Sequence, residues 1–216
     1  MAAADGFSIK RIPSVGSNAK YKMTAEFMAS GAKGTLTATL LEKITNVDKD
    51  GNFTVEQSQV EASGVFDGEQ VEVPTRPPVT MTYKANGLVS TIQGALTDAS
   101  SYRMENLGAV IDPGKKVDID EVWTSEIKAD KTLGTRSVRV EYKLLAEEKV
   151  GDIDTLKIKG TLKETDGENA ASNDITVWIN KADGSLVQLQ AKWSNAPFPG
   201  TSSPVSATIK ITKIAS

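Results

Sequence analysis

Apolar and polar residues alternate with a period of two along most of the chain, the pattern of β-strands with one buried face. Met23, Ala25 and Phe27 alternate with Lys22, Thr24 and Glu26, and Leu36, Ala38 and Leu40 alternate with Thr35, Thr37 and Thr39. Asn46 to Asn52 is rich in turn residues, and Phe53 and Val55 open a return strand toward Val60 and Ala62, which predicts a hairpin. Residues 64–78 carry Gly68, Pro74, Pro77 and Pro78, which confines them to an edge or loop because proline cannot donate to a sheet ladder. Val79, Met81 and Tyr83 lead to Asn86-Gly87, a strong two-residue hairpin signal, and Leu88, Ser90 and Ile92 return.

One stretch breaks this period. Leu96, Ala99, Tyr102 or Arg103, and Leu107 fall at helical spacing, with Asp98 as cap and Gly108 as stop, so a single helix is predicted over Thr97 to Leu107. The two-residue period then resumes in Trp123, Ser125 and Ile127, in Val138, Val140, Tyr142 and Leu144, and in Leu156, Ile158, Gly160 and Leu162. Ile175, Val177 and Ile179 precede a turn at Asp183-Gly184, and Val187, Leu189, Ala191 and Trp193 leave it. After a proline-rich loop, Val205, Ala207, Ile209 and Ile211 form a last strand. It has no earlier counterpart unless Phe7 to Ile12 plays that part, in which case the two end segments would pair and close the sheet.

The order of these elements reads as one plan written twice. Pro13, Val15 and Tyr21 are echoed by Pro113, Val117 and Trp123, and the late hairpin at Asn86-Gly87 by that at Asp183-Gly184. The offset drifts from about 102 to about 97 residues, as small loop insertions would produce. The expected organisation is a first β-rich half over 1–94, a linking helix and loop over 95–111, and a second half over 112–216 sharing the sheet or core. The expected fold is mainly β: an antiparallel curved sheet or half-barrel built from two similar halves with one short linking helix.

Composition narrows the chemistry. The chain has neither cysteine nor histidine, so disulfides, Cys nucleophiles, and His-based triads or metal clusters are impossible within it. Its 25 basic and 28 acidic residues are mixed along the chain, the longest basic run is Lys115-Lys116, and aromatics are not interleaved with it. Nucleic acid is therefore not expected as a partner. No apolar run approaches the roughly 20 residues of a membrane helix. The start, Met1-Ala2-Ala3-Ala4-Asp5-Gly6, reads like small residues left near a signal-peptidase site, which gives an expectation of export, with the cytoplasm as the alternative.

The arrangement of Pro113, Val117 and Trp123 resembles a recurring element of uncharacterised exported bacterial β-rich proteins and lipoproteins, P-x-x-x-V-x-x-G-x-x-W. Asp118-Ile119-Asp120 stands where that pattern has its glycine, although Gly16 follows Val15 in the first half. More broadly, the chain resembles the Lol-type lipoprotein carriers, which implies a curved antiparallel half-barrel in the cell envelope. Those carriers lay several helices over the concave face, and this chain offers one.

Candidate sites follow from residue type and phase. Asn46, Asp48 and Asp50 fall at positions one, three and five of an EF-hand-like loop, with Gly51 at six. Position twelve is Gln57 rather than a bidentate Glu and the flanks read as strands, so a solvated hairpin turn is the favoured reading of that calcium pattern. Tyr21, Leu40, Trp123, Tyr142 and Trp178 are candidate lining of an apolar ligand cavity, with core packing as the commoner use of such residues. Trp178 lies out of phase with Val177 and Ile179 and should emerge on the opposite face, where a large apolar side chain marks a contact surface. Asp118, Asp120 and Glu121, and Asp152 with Asp154, are neighbouring acids of the kind that turns solvate, and no nucleophile motif accompanies them. The reading is a non-catalytic exported binding protein without a cofactor, taking an apolar or lipid-like small molecule. The alternative is a structural or protein-interaction module of the cell envelope with a filled core and no ligand cavity, contacting another envelope protein through an edge strand or an exposed patch. Oligomeric state is left open.

Overall fold

The computed structural model describes residues 6–29, 31–94, 97–199 and 205–215, and Leu96 and the tip of the proline-rich loop lie outside them. The strands are β1 (Asn18–Ala29), β2 (Ala32–Val47), β3 (Phe53–Phe66), β4 (Glu69–Val71), β5 (Val79–Tyr83), β6 (Val89–Gln93), β7 (Val122–Ile127), β8 (Val138–Val150), β9 (Ile153–Glu164), β10 (Ser172–Asn180), β11 (Leu186–Ala196) and β12 (Val205–Ile214). The one helix among the described residues is α1 (Ala99–Gly108). All strands belong to one antiparallel sheet in the order β6-β5-β3-β2-β1-β12-β11-β10-β9-β8-β7, with β4 paired to the end of β3. The sheet is curved and open rather than closed into a barrel.

Two meanders, β1-β2-β3-β5-β6 and β7-β8-β9-β10-β11, run through the sheet in the same direction, and β12 lies between them. The expected pairing of the two end segments is corrected here. β12 pairs with β1 and β11, whereas Phe7 exchanges two backbone bonds with Val117. A lone antiparallel bridge suffices for Phe7 because the next residues dive into the core, where Ile9 is buried. The echo between Val15 and Val117 also breaks down at this point. Val117 is fully buried under Phe7, while Val15 is 60% exposed in the turn before β1.

Curvature is visible in what α1 touches. The helix packs on β6 near one edge of the sheet and on β9 and β10 near the other, so both ends of the sheet bend toward it. The Asp98 side chain caps its first turn by accepting from the Ser101 backbone N–H at 2.9 Å, as its residue type predicts. Tyr102 joins Met81 and Ile92 in a core cluster and Leu107 enters the main core. The predicted span opened two residues early at Thr97, and Ala99 is exposed rather than part of the buried face.

Past the helix, residues 109–112 tie the two sheet edges together. The Asp112 N–H donates to the Asn86 carbonyl in the β5–β6 turn, and the Trp123 indole of β7 donates to the Ile111 carbonyl. Residues 64–78 are more regular than their prolines suggested, since β3 continues to Phe66 and turns into β4 before the first proline. The main core fills the concave side of the second meander, and smaller clusters around Phe53 and Met81 lie in the first.

Candidate functional site

Antiparallel register lines up inward-facing residues into rows that cross the sheet. One row runs Ala62, Ala38, Met23, Ile211, Leu189, Val177, Ile158 and Leu144, from β3 to β8. Its second-meander end is sealed, with Ile158 and Leu144 fully buried, but Met23, Ile211 and Leu189 are only half-buried. Leu36 and Leu40 of β2 flank Ala38 on the same face and are half-buried too, as is Phe27 on β1. The inner face is thus closed over β8–β10 and partly open over β2, β1, β12 and β11.

Local chemistry explains the difference. Over the second meander, α1, residues 109–118 and Phe7–Ile9 supply the apolar cover that buries Val140 and Tyr142. Over β1–β3 the cover thins to the segment before β1, while α1 reaches β5 and β6. There Arg11 pairs with Glu42 of β2 and stands over the Phe53 ring, 4.9 Å from its centre. Phe53 stacks on Tyr83 at 5.2 Å, and the Tyr83 hydroxyl donates to Glu105 of α1 at 2.9 Å. Burial pushes the Glu105 carboxyl above its usual range, with the Tyr83 bond opposing and the Glu42 charge adding to it. Among the described residues no cation pairs with Glu105.

The predicted residues separate into two places. Tyr21 and Leu40 are direct cross-strand partners on the partly open face. Tyr21 is itself buried, its hydroxyl donating to the Leu186 carbonyl at 3.3 Å, and burial drives its phenol pKa up. Trp123 and Tyr142 also face each other across strands, with ring centres 5.2 Å apart, and the Tyr142 hydroxyl donates to the Ala109 carbonyl at 2.6 Å. β12, β11, β10 and β9 intervene between the two pairs. Trp123 and Tyr142 pack into the core with their polar atoms satisfied by backbone.

Trp178 points to the outer face as its phase requires, but the expected contact surface is absent. The ring is only 7% exposed, because Lys157 stacks over it at 5.0 Å and its indole N–H donates to Glu148. The Trp178 bond, followed by the Lys157 contact, outweighs desolvation and lowers the Glu148 pKa.

The turn acids are engaged in backbone work. Asp48 accepts from the Asp50 and Asn52 N–H groups at 2.8 and 2.9 Å through one oxygen and from the Asn52 amide through the other, and these bonds lower its pKa. Asn46 is paired with Thr54 in the ladder and Asp50 is exposed. Glu121 accepts from Lys115 and from the Asp118 N–H, and Asp120 pairs with Lys143.

A buried ion cluster was missed by reading the sequence. Glu164, at the inward phase of β9, has a side chain with no exposure and accepts from Arg103 Nε and Nη2 at 2.6 and 2.8 Å. Arg136 and the Ala171 N–H complete its shell. Burial raises its pKa, but the Arg103 and Ala171 bonds with both guanidinium charges win and hold it below the usual carboxylate range. The available signal was phase, since Glu164 continues the alternation of Leu156, Ile158, Gly160 and Leu162.

No family model and no curated protein matches the sequence. Among solved structures, the chain is similar to lipovitellin, described in terms of lipid–protein interactions, with a TM-score of 0.56, 9% identity and 94% of this chain covered. It spans 25% of that chain. At a TM-score of 0.35 and 9% identity it matches a protein described as exported with a YmcC-like fold from Bacteroides fragilis, covering 99% of this chain and 100% of the other. At 0.26 and 14% identity it matches a DUF1329 family protein from Desulfovibrio piger, covering 91% and 84%. The lipovitellin likeness shows a shared fold. No described helix is long and apolar enough to cross a membrane.

Proposed function

We propose that this protein is a non-catalytic binding protein that takes an apolar, lipid-like molecule on the partly open inner face of β2, β1, β12 and β11. The observation that carries the reading is the uneven burial of one continuous apolar surface. Met23, Leu36, Leu40, Leu189 and Ile211 stay half-buried while the same rows are sealed beyond β10. Leaving large aliphatic side chains half-exposed forgoes roughly 1 kcal/mol each of burial, which a bound acyl chain would recover. The lipovitellin likeness supports the fold part of this reading, and the bond-filled carboxylates of Asp48, Glu121 and Glu164 support the non-catalytic part. A Lol-type relationship and a location outside the cytoplasm belong to the same proposal.

The test is titration of the purified protein with a fluorescent fatty acid, with mass spectrometry of an organic extract beside it. Saturable, salt-insensitive uptake is expected, lost in Leu40→Glu, which places a charge on the open face outside the main core cluster. Lipid-free extracts together with no uptake would return the protein to the alternative reading, an interaction module with a filled core.

A further inference from the structure

The inward face of β1 and β12 changes character one step beyond the open apolar region. Met23 pairs with Ile211 across these strands, and the next inward pair is Tyr21 with Lys213. Inward residues on one strand recur about every 7 Å, so this polar pair stands directly beside the apolar row. Leu40 of β2 is the other cross-strand partner of Tyr21, which joins the place to the proposed ligand face. Here Ile12, Pro13 and Ser14, from the segment before β1, wall a pocket of about 100 Å³ together with Tyr21 and Lys213. Arg11 and Glu42 line it and satisfy each other as an ion pair. The remaining polar groups are not so matched. The Ser185 hydroxyl is buried without a hydrogen-bond partner, a condition that buried polar groups rarely bear. Lys213 is half-buried and, among the described residues, makes no ion pair. Asp183 has no cation partner among them either, and its Oδ1 accepts from the Ser185 N–H at 2.8 Å.

Charge selects the class of occupant. Arg11 and Lys213 are balanced by Glu42 and Asp183, so the lining has no net field for an anion or a cation. It presents instead a donor at Lys213, an acceptor at Asp183, and at Ser185 a hydroxyl that does either. A group bearing neighbouring hydroxyls meets all three, because each hydroxyl both donates and accepts. The volume of about 100 Å³ is roughly three waters' share of the liquid, the scale of a three-carbon polyol. We propose that this pocket seats a neutral, hydroxyl-bearing headgroup, that of a monoacylglycerol, whose acyl chain runs from it over Met23 and Ile211 on the open face. The inference rests on the apolar site proposed above and names its ligand class. A fatty-acid carboxylate or a phosphate is the weaker occupant, because it would stand beside Glu42 and Asp183 with only Lys213 unpaired to offset it.

Calorimetric titration at neutral pH with three ligands of one chain length, monodecanoylglycerol, decanol and decanoate, tests it. Monodecanoylglycerol is expected to bind at least about ten-fold tighter than either of the others, the worth of one hydrogen bond to a charged group. Lys213→Met with Ser185→Ala removes two of the three headgroup contacts and should bring monodecanoylglycerol to within about two-fold of decanol. Neither side chain has a partner to lose, so the melting temperature of the double variant should stay at the parent's. Equal affinity for all three ligands, tightest binding of decanoate, or a glyceride preference that survives the double substitution would overturn the headgroup assignment and leave the apolar site standing. Binding of none of the three would overturn both.

Discussion

Gly160 carries no side chain because Tyr142, its partner across the β8–β9 ladder, lies where one would be. A Cβ there would sit 2.7 Å from the Tyr142 ring and 3.0 Å from Ile175. Phe27 covers Gly34 in the same way on the β1–β2 pair. Gly160→Ala should therefore destabilise the protein by about 1–3 kcal/mol, as overpacking does, read as a lower midpoint in urea. Glu164, which pairs with Arg103 of α1, and Glu105 of α1 itself behave oppositely. Glu164 has a lowered pKa, so its contribution is present above the ordinary carboxylate value and is lost as pH falls through its folded value. Glu164→Gln should cost about 3 kcal/mol at neutral pH, and its melting curve should converge with the parent's on acidification. Glu105 has a raised pKa, so its contribution is present below the ordinary value and lost as pH rises through the folded one. Glu105→Gln should then melt higher than the parent at neutral pH and level with it in acid.

Helix α1 is the element that decides which part of the concave face is sealed. Removing its cap with Asp98→Ala should lower stability by about 1 kcal/mol and raise amide exchange in the first helical turn, while β1–β3 exchange is unchanged. The helix was legible in the sequence because capping and stop residues act locally, and so were the long strands, whose alternation is set by burial on one face. What could not be read was anything decided by partners distant in the chain. Trp178 showed its face through its phase, but its cover by Lys157 and Glu148 depends on strand register. Glu164 was legible as inward-facing, yet its two arginines come from α1 and from the loop before β8. Tyr21 and Trp123 occupy matching places in the repeat pattern, but only Trp123 lies under the cover that 109–118 provides.

At the scale of the molecule, one continuous sheet has a region sealed over β8–β10 and a partly open one over β2, β1, β12 and β11. Leu40→Glu should lose fatty-acid uptake with little change in melting temperature, whereas Gly160→Ala should lower the melting temperature and leave uptake in place.

The position of β12 governs how the chain can assemble in time. Each meander pairs neighbours in sequence, but the sheet becomes continuous only where Lys20 meets Ile214 and Met28 meets Ser206. The chain must be synthesised through β12 before that seam can form, and closing the long loop between β1 and β12 is slow. The two meanders should collapse early as separate units, each with a bare edge at β1 or β11, and merge in a late step. In pulse-labelled hydrogen exchange during refolding, amides of β8 and β9 should be protected first, and those shared by β1 and β12 last.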